Sequence, residues 1–170
     1  MLTGPTYDLG APAVGTLALV NAATMLCTPV AGRQVDRRGS DAVNLVCLLG
    51  IIASAAVLAF ASLGGAGGLA ALALGTLLLD VGMQCGMVAN QVRIYALRPE
   101  ARSRLNTAYM TCAYLGGSLG SWLGARAYAH FGWLGVCAVL ALLAAIALAR
   151  HLASSPATGH PRATVAAQNT

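Results

Sequence analysis

The stretch TLLLDVGMQCGMVANQ, residues 76–91, sets an acid, Asp80, directly after three leucines. An ionised carboxylate at the centre of a membrane helix costs about 2.5–3.5 kcal/mol on insertion scales, so it is retained where it faces protein or water rather than lipid tails. At about 100° per residue, Asp80, Gln84, Met87 and Gln91 share one narrow sector of a helix, with Met83 and Asn90 on its edge. A protonatable group beside amides that both donate and accept can carry a proton or contact a polar solute. The same groups can instead bond a neighbouring helix, where such a contact averages about 0.6 kcal/mol. Both readings stay open for Asp80, for Gln84 and Gln91, and for Asn106 at the start of the next apolar run. Together these four form the candidate transport pathway.

Three further patterns carry chemistry or packing. GRQVDRRGS, residues 32–40, places Asp36 between Gly32 and Gly39 and against Arg37 and Arg38. Such a cluster is either a latch that changes partners as helices move or a basic loop that only sets orientation. Gly75, Gly82 and Gly86 cluster on the opposite side of the helix from Asp80, a seam that lets another helix approach closely. Gly116, Gly120 and Gly124 repeat at four-residue spacing, with Gly117 and Ser121 beside them. Close packing is their expected role, and a sliding interface is the sharper alternative.

The elements that position these residues are bilayer helices. The chain has 170 residues, 58% hydrophobic and 9% charged, with mean hydropathy +0.72; ordinary soluble domains carry roughly 25% charge. A hydrocarbon core of about 30 Å needs about 20 apolar residues per helix. Five runs qualify, at about 11–31, 42–63, 69–92, 105–125 and 133–149, flanked by an extracytoplasmic segment 1–10 and a polar tail 154–170. The expected fold is an all-α polytopic membrane helix bundle of five transmembrane helices spanning 11–153. GGAGG at 64–68 reads as the turn of a hairpin between the second and third.

Arginine placement sets the orientation. All ten basic residues are arginine, and nine of them, all but Arg126, fall on one side of this five-span topology. The positive-inside rule makes that side cytoplasmic, with the N-terminus outside and the C-terminus inside. A short N-terminal tail with no targeting signal needs something upstream to place it outside, so missing N-terminal helices are expected. Trp122, Tyr128 and Trp133 fall towards the outer interface, as aromatic anchors do.

Several function classes lose support. There is no GxxxxGK[ST] loop and no lysine to make one, so ATP-driven chemistry has no machinery in this sequence. No HExxH motif occurs, and the GxSxG pattern in GGSLG, residues 116–120, lies within an apolar helical run rather than at a strand-to-helix turn; no enzyme is expected, and no cofactor or metal is called for. His130, His151 and His160 are isolated and read as solvated. The five cysteines form no CxxC pair and read as small packing residues. Five bilayer-length runs argue against a soluble ligand carrier, and short basic loops between them argue against nucleic acid as a partner.

The 32–40 segment resembles the G-x-x-x-D-R-x-G-[RK] loop signature of the major facilitator superfamily, with Gly32, Asp36, Arg37 and Gly39 matching and Ser40 departing from the basic residue usual there. NQVRIYALRPEARSRLNTAYM, residues 90–110, is similar to the segment between helices ten and eleven of bacterial efflux-type members. The resemblance covers about residues 5–152 and implies helices eight to twelve. It further implies a secondary transporter in a bacterial inner membrane, moving a small solute by alternating access with ion-gradient energy, as an export antiporter. A non-transporting membrane scaffold or a degenerate remnant is the alternative. The partners implied are the lipid bilayer, the solute and the missing N-terminal helices.

Overall fold

The computed structural model describes residues 28–154, whose regular structure is entirely helical. Helix α1 is Thr28–Arg38, α2 is Ser40–Phe60, α3 is Gly65–Leu97 and α4 is Arg102–Ser154, with short 3-10 turns at Ala61–Leu63 and Pro99–Ala101. The segment 1–10, the span expected at 11–31 apart from its last four residues, and the tail beyond Ser154 lie outside the described residues. Among the described residues three helices are long and apolar enough to cross a membrane, and the last of them is divided. At Gly132 the backbone turns to φ 64° and ψ −152°, a left-handed conformation that glycine adopts without Cβ strain. Beyond it the chain folds back, since a Cβ on Gly135 would lie 2.7 Å from the Ala127 carbonyl oxygen; in an unbroken helix those residues are about 12 Å apart along the axis. The two arms, 102–131 and 133–154, are about 45 and 33 Å long, each enough to span a bilayer.

The core is the α2–α3 hairpin. Its α2 face is Asn44, Cys47, Ile51, Ser54, Ala55 and Leu58, a buried row at three- and four-residue intervals. The facing row on α3 is Gly68, Leu72, Gly75, Gly82, Gly86 and Ala89. A Cβ added at Gly75 would meet Leu58 Cγ at 2.7 Å, and one at Gly82 would meet Ile51 Cγ1 at 2.9 Å. Lipid tails are as apolar as leucine, so close van der Waals approach rather than water exclusion holds such a pair together.

The distal arm of α4 packs on the turn end of this hairpin. Cys137 joins Leu58, Ala61 and Leu72 in one buried cluster, with Trp133 and Leu140 against it. Trp133 Nε1 donates to the Leu58 carbonyl at 2.7 Å, at the point where α2 tightens into the 3-10 turn. Trp133 is therefore anchored in protein. The proximal arm stands largely apart, exposed along residues 111–119.

Three expectations need amendment. The GGAGG turn is shorter than its composition suggests: only Gly64 and Gly65 take positive φ, and the helix already begins at Gly65. The segment 32–38 is helical, not a loop. Gly39 alone breaks it, at φ 82°, its N–H donating to the Val35 carbonyl at 2.8 Å to close α1. His151 is buried at 8% exposure rather than solvated, because the distal arm brings its face inward.

Candidate functional site

Helix α3 has two faces with separate duties. The glycine seam lies against α2, and Asp80, Gln84, Met87 and Gln91 lie roughly opposite it, about 150° round the helix. Asp80, Gln84 and Gln91 are half-buried and Met87 is exposed. At 1.5 Å per residue the stripe from Asp80 to Gln91 is about 16 Å long, half the depth of the hydrocarbon core. Among the described residues no hydrogen bond or ion pair engages Asp80, Gln84 or Gln91. The acid is thus not consumed in holding the hairpin together. A carboxylate at this depth needs a polar surrounding, and α2, filled by the opposite seam, does not supply it.

Asn106 is not brought into this stripe at the level of Asp80. Its side-chain oxygen accepts from the Tyr95 hydroxyl at 2.7 Å, tying the end of α3 to the start of α4. Tyr95 is fifteen residues beyond Asp80, about 22 Å along the axis; Gln91, one turn before Tyr95, is the stripe residue at Asn106's level. The bond orders the entrance to α4.

At the arginine-rich end, Asp36, Arg37 and Arg38 are exposed and make no ion pair among the described residues. The ion pair at that end is Asp41 with Arg93, at 2.9 Å between Oδ1 and Nη1, joining the start of α2 to α3. Sequence reasoning passed over Asp41 because its partner is 52 residues away and no local spacing signals it. Both side chains are about half exposed, 39% for Arg93 and 52% for Asp41, which limits the contribution to stability to under about 1 kcal/mol. Asp41→Ala is expected to change hairpin stability by less than that, measured by denaturant unfolding, and the charge exchange Asp41→Arg with Arg93→Asp is expected to restore most of the loss.

A second contact missed from sequence lies one turn deeper. Asn44, 8% exposed, donates from Nδ2 to Asn90 Oδ1 at 2.7 Å. Two amides facing each other in apolar surroundings penalise any slip of α2 along α3, because a slip would leave both unpaired. Asn90 was legible as a polar edge residue; its pairing was not.

The two glycine sets differ. Gly75, Gly82 and Gly86 face α2 closely, whereas a Cβ on Gly116, Gly120 or Gly124 meets nothing within 4 Å. Beside the latter, Tyr114, Gly117, Ser118, Ser121 and Trp122 line an open depression of about 650 Å³, and Arg126 stacks over the Trp122 ring at 5.5 Å. Gly32 and Gly39 likewise have no neighbour a Cβ would meet. Among the described residues Cys47, Cys85, Cys112 and Cys137 form no disulfide, and no cluster of three or more metal-ligating side chains occurs.

The comparisons with known proteins agree with this architecture. The family model of the Major Facilitator Superfamily matches residues 3–169. The chain is 44% identical over 78 residues to the "Uncharacterized transporter YgaY" of Escherichia coli O157:H7, which covers 46% of this chain and 20% of that protein. It is 35% identical over 141 residues to the "Probable transporter SCO4007" of Streptomyces coelicolor, 80% of this chain and 30% of that one. It therefore spans less than a third of the length of these relatives. No solved structure gives a significant match. A multi-pass helical bundle with an apolar exterior, a match along nearly its whole length to one family and transporters among its relatives lead to one assignment: the chain belongs to the major facilitator superfamily.

Proposed function

We propose that the chain supplies helices eight to twelve of a secondary transporter that exports a small solute across a bacterial inner membrane, exchanging it against an ion gradient by alternating access. Asp80 is the acid that couples or contacts the solute, and Gln84 and Gln91 extend its polar stripe, with Asn106 at the cytoplasmic end of the path. The observation that carries this reading is the division of α3 into a glycine seam packed on α2 and an acidic stripe turned away from it. In transporters built from repeats, substrate and coupling-ion sites lie near the bilayer midplane at the interface between the halves. The stripe is the surface of this chain that suits such a place. The N-terminus lies outside and the C-terminus in the cytoplasm, by the arginine asymmetry.

The segment with Gly32, Asp36, Arg37, Arg38 and Gly39 acts in this reading as a latch with the missing helices. Its exposed charges at the end of α1 are available to such a partner. In the full-length carrier, reconstituted into proteoliposomes, Asp36→Ala is expected to slow turnover several-fold while insertion and yield stay normal. Unaltered turnover would reduce the cluster to an orientation signal. The transport reading itself is tested by a solute screen on the same proteoliposomes under imposed pH gradients: gradient-dependent flux of at least one solute is expected, and none would favour the non-transporting scaffold.

A further inference from the structure

A second groove, of about 370 Å³, opens between α1, α2 and α3 on a different side of α3 from Asp80. Its walls are apolar over most of their length, with Val30, Val43, Val46, Leu78 and Val81 among them, and a Cβ on Gly50 would find open space. The polar side chains lining it are Gln34 and Arg38, one turn apart on α1. Arg38 is the last residue of α1, at the same end of the bundle as the Asp41–Arg93 pair. It makes no ion pair among the described residues. Of the acids near it, Asp41 is held by Arg93 and Asp36 is outweighed on the same short helix by Arg33, Arg37 and Arg38. From Ala42 to Gly50 the groove follows α2 for about 12 Å, close to the depth of one leaflet's hydrocarbon, about 15 Å.

We propose that this groove holds one acyl chain of an anionic phospholipid from the leaflet on the arginine-rich side, with the lipid phosphate on the Arg38 guanidinium and the Gln34 amide. A cationic mouth over an apolar wall fits that occupant at both ends: the guanidinium gives charge-assisted hydrogen bonds to phosphate, and basic pockets between membrane helices at a bilayer surface bind anionic headgroups. A free phosphate would leave the apolar wall uncovered. The inference rests on the bilayer location and is independent of transport; it takes Arg38 out of the proposed latch and leaves Asp36 and Arg37, which do not line the groove, to the missing helices.

The test uses the full-length chain reconstituted into nanodiscs of phosphatidylcholine mixed with phosphatidylglycerol, then released and examined by native mass spectrometry for retained lipid. The expected result is one phosphatidylglycerol retained per chain, several-fold in preference to phosphatidylcholine. Arg38→Gln is expected to remove that preference while the chain still folds, as an exposed charge permits. Gly50→Leu, which grows into open space, is expected to expel the lipid with Arg38 intact. Equal retention of the two lipids by the unaltered chain, or a preference that survives both substitutions, would overturn the assignment.

Discussion

Asp80→Asn in the full-length carrier is expected to reduce pH-gradient-driven solute flux by about a hundredfold, the low end of what a positioned proton-transfer group contributes, while insertion and hairpin stability stay unchanged. Asp80 stands on the side of α3 turned away from α2 and has no bonding partner among the described residues, so the hairpin does not depend on its charge. Its retention at mid-membrane depth, against a cost of about 2.5–3.5 kcal/mol, then calls for another use. Asn keeps the shape and one acceptor oxygen but cannot take up and release a proton near neutral pH. A carrier that uses Asp80 only to bind the solute's polar groups loses affinity instead, and flux without a gradient falls as well. Comparing gradient-driven flux with downhill counterflow separates the two roles. Unchanged flux in both assays would remove Asp80 from the mechanism.

Gly75→Leu is the second large effect, and it falls on the fold. A Cβ there would already sit 2.7 Å from Leu58 Cγ and 3.2 Å from the Leu58 backbone nitrogen. Leu58 has little freedom to move aside, being 4% exposed and clustered with Ala61, Leu72 and Cys137, while Trp133 holds its carbonyl. Overpacking of this kind costs about 1–3 kcal/mol and more for larger insertions, well above the gain of about 1 kcal/mol from replacing a helical glycine. We expect a loss of about 3 kcal/mol in reversible unfolding, with the α2–α3 hairpin and the distal arm of α4 released together because all three meet at Leu58. Gly120→Leu makes the opposite prediction. Nothing lies within 4 Å of its Cβ, so this chain should lose no stability and gain up to about 1 kcal/mol from replacing a helical glycine. Transport by the full-length carrier should nevertheless slow, if that stripe is a surface on which the other half moves.

How much of this was legible in the sequence depends on whether the signal is local. The apolar runs announce bilayer helices because the bilayer forces backbone groups to bond within a helix. Helices α2 and α3 and the two arms of α4 overlap four of those runs, though α3 extends beyond its run at both ends, over GAGG at 65–68 and RIYAL at 93–97. The glycine seam of α3 was legible for the same reason: periodicity is written in one segment. The reversal at Gly132 was expected as a loop of several residues and needs only one, because glycine at positive φ turns the chain by itself.

Pairings between segments were not legible. Asp41 with Arg93, Asn44 with Asn90 and Trp133 with Leu58 depend on the register of one helix along another and leave no mark in either sequence alone. His151 illustrates the same limit: a lone histidine near a helix end looks solvated until the packing of the distal arm is known. The Asp80 stripe was readable as a face, and the structure adds that this face is not the one packed on α2.

The account stands on the surroundings of one side chain, and solvent accessibility at position 80 tests it most directly. In a cysteine-free version of the full-length carrier carrying Asp80→Cys, held in native membranes, a small membrane-impermeant thiol reagent is predicted to label position 80, with solute or an imposed pH gradient changing the rate. Absence of labelling from either side under every condition, together with reaction at position 80 by a probe confined to the lipid phase, would contradict it.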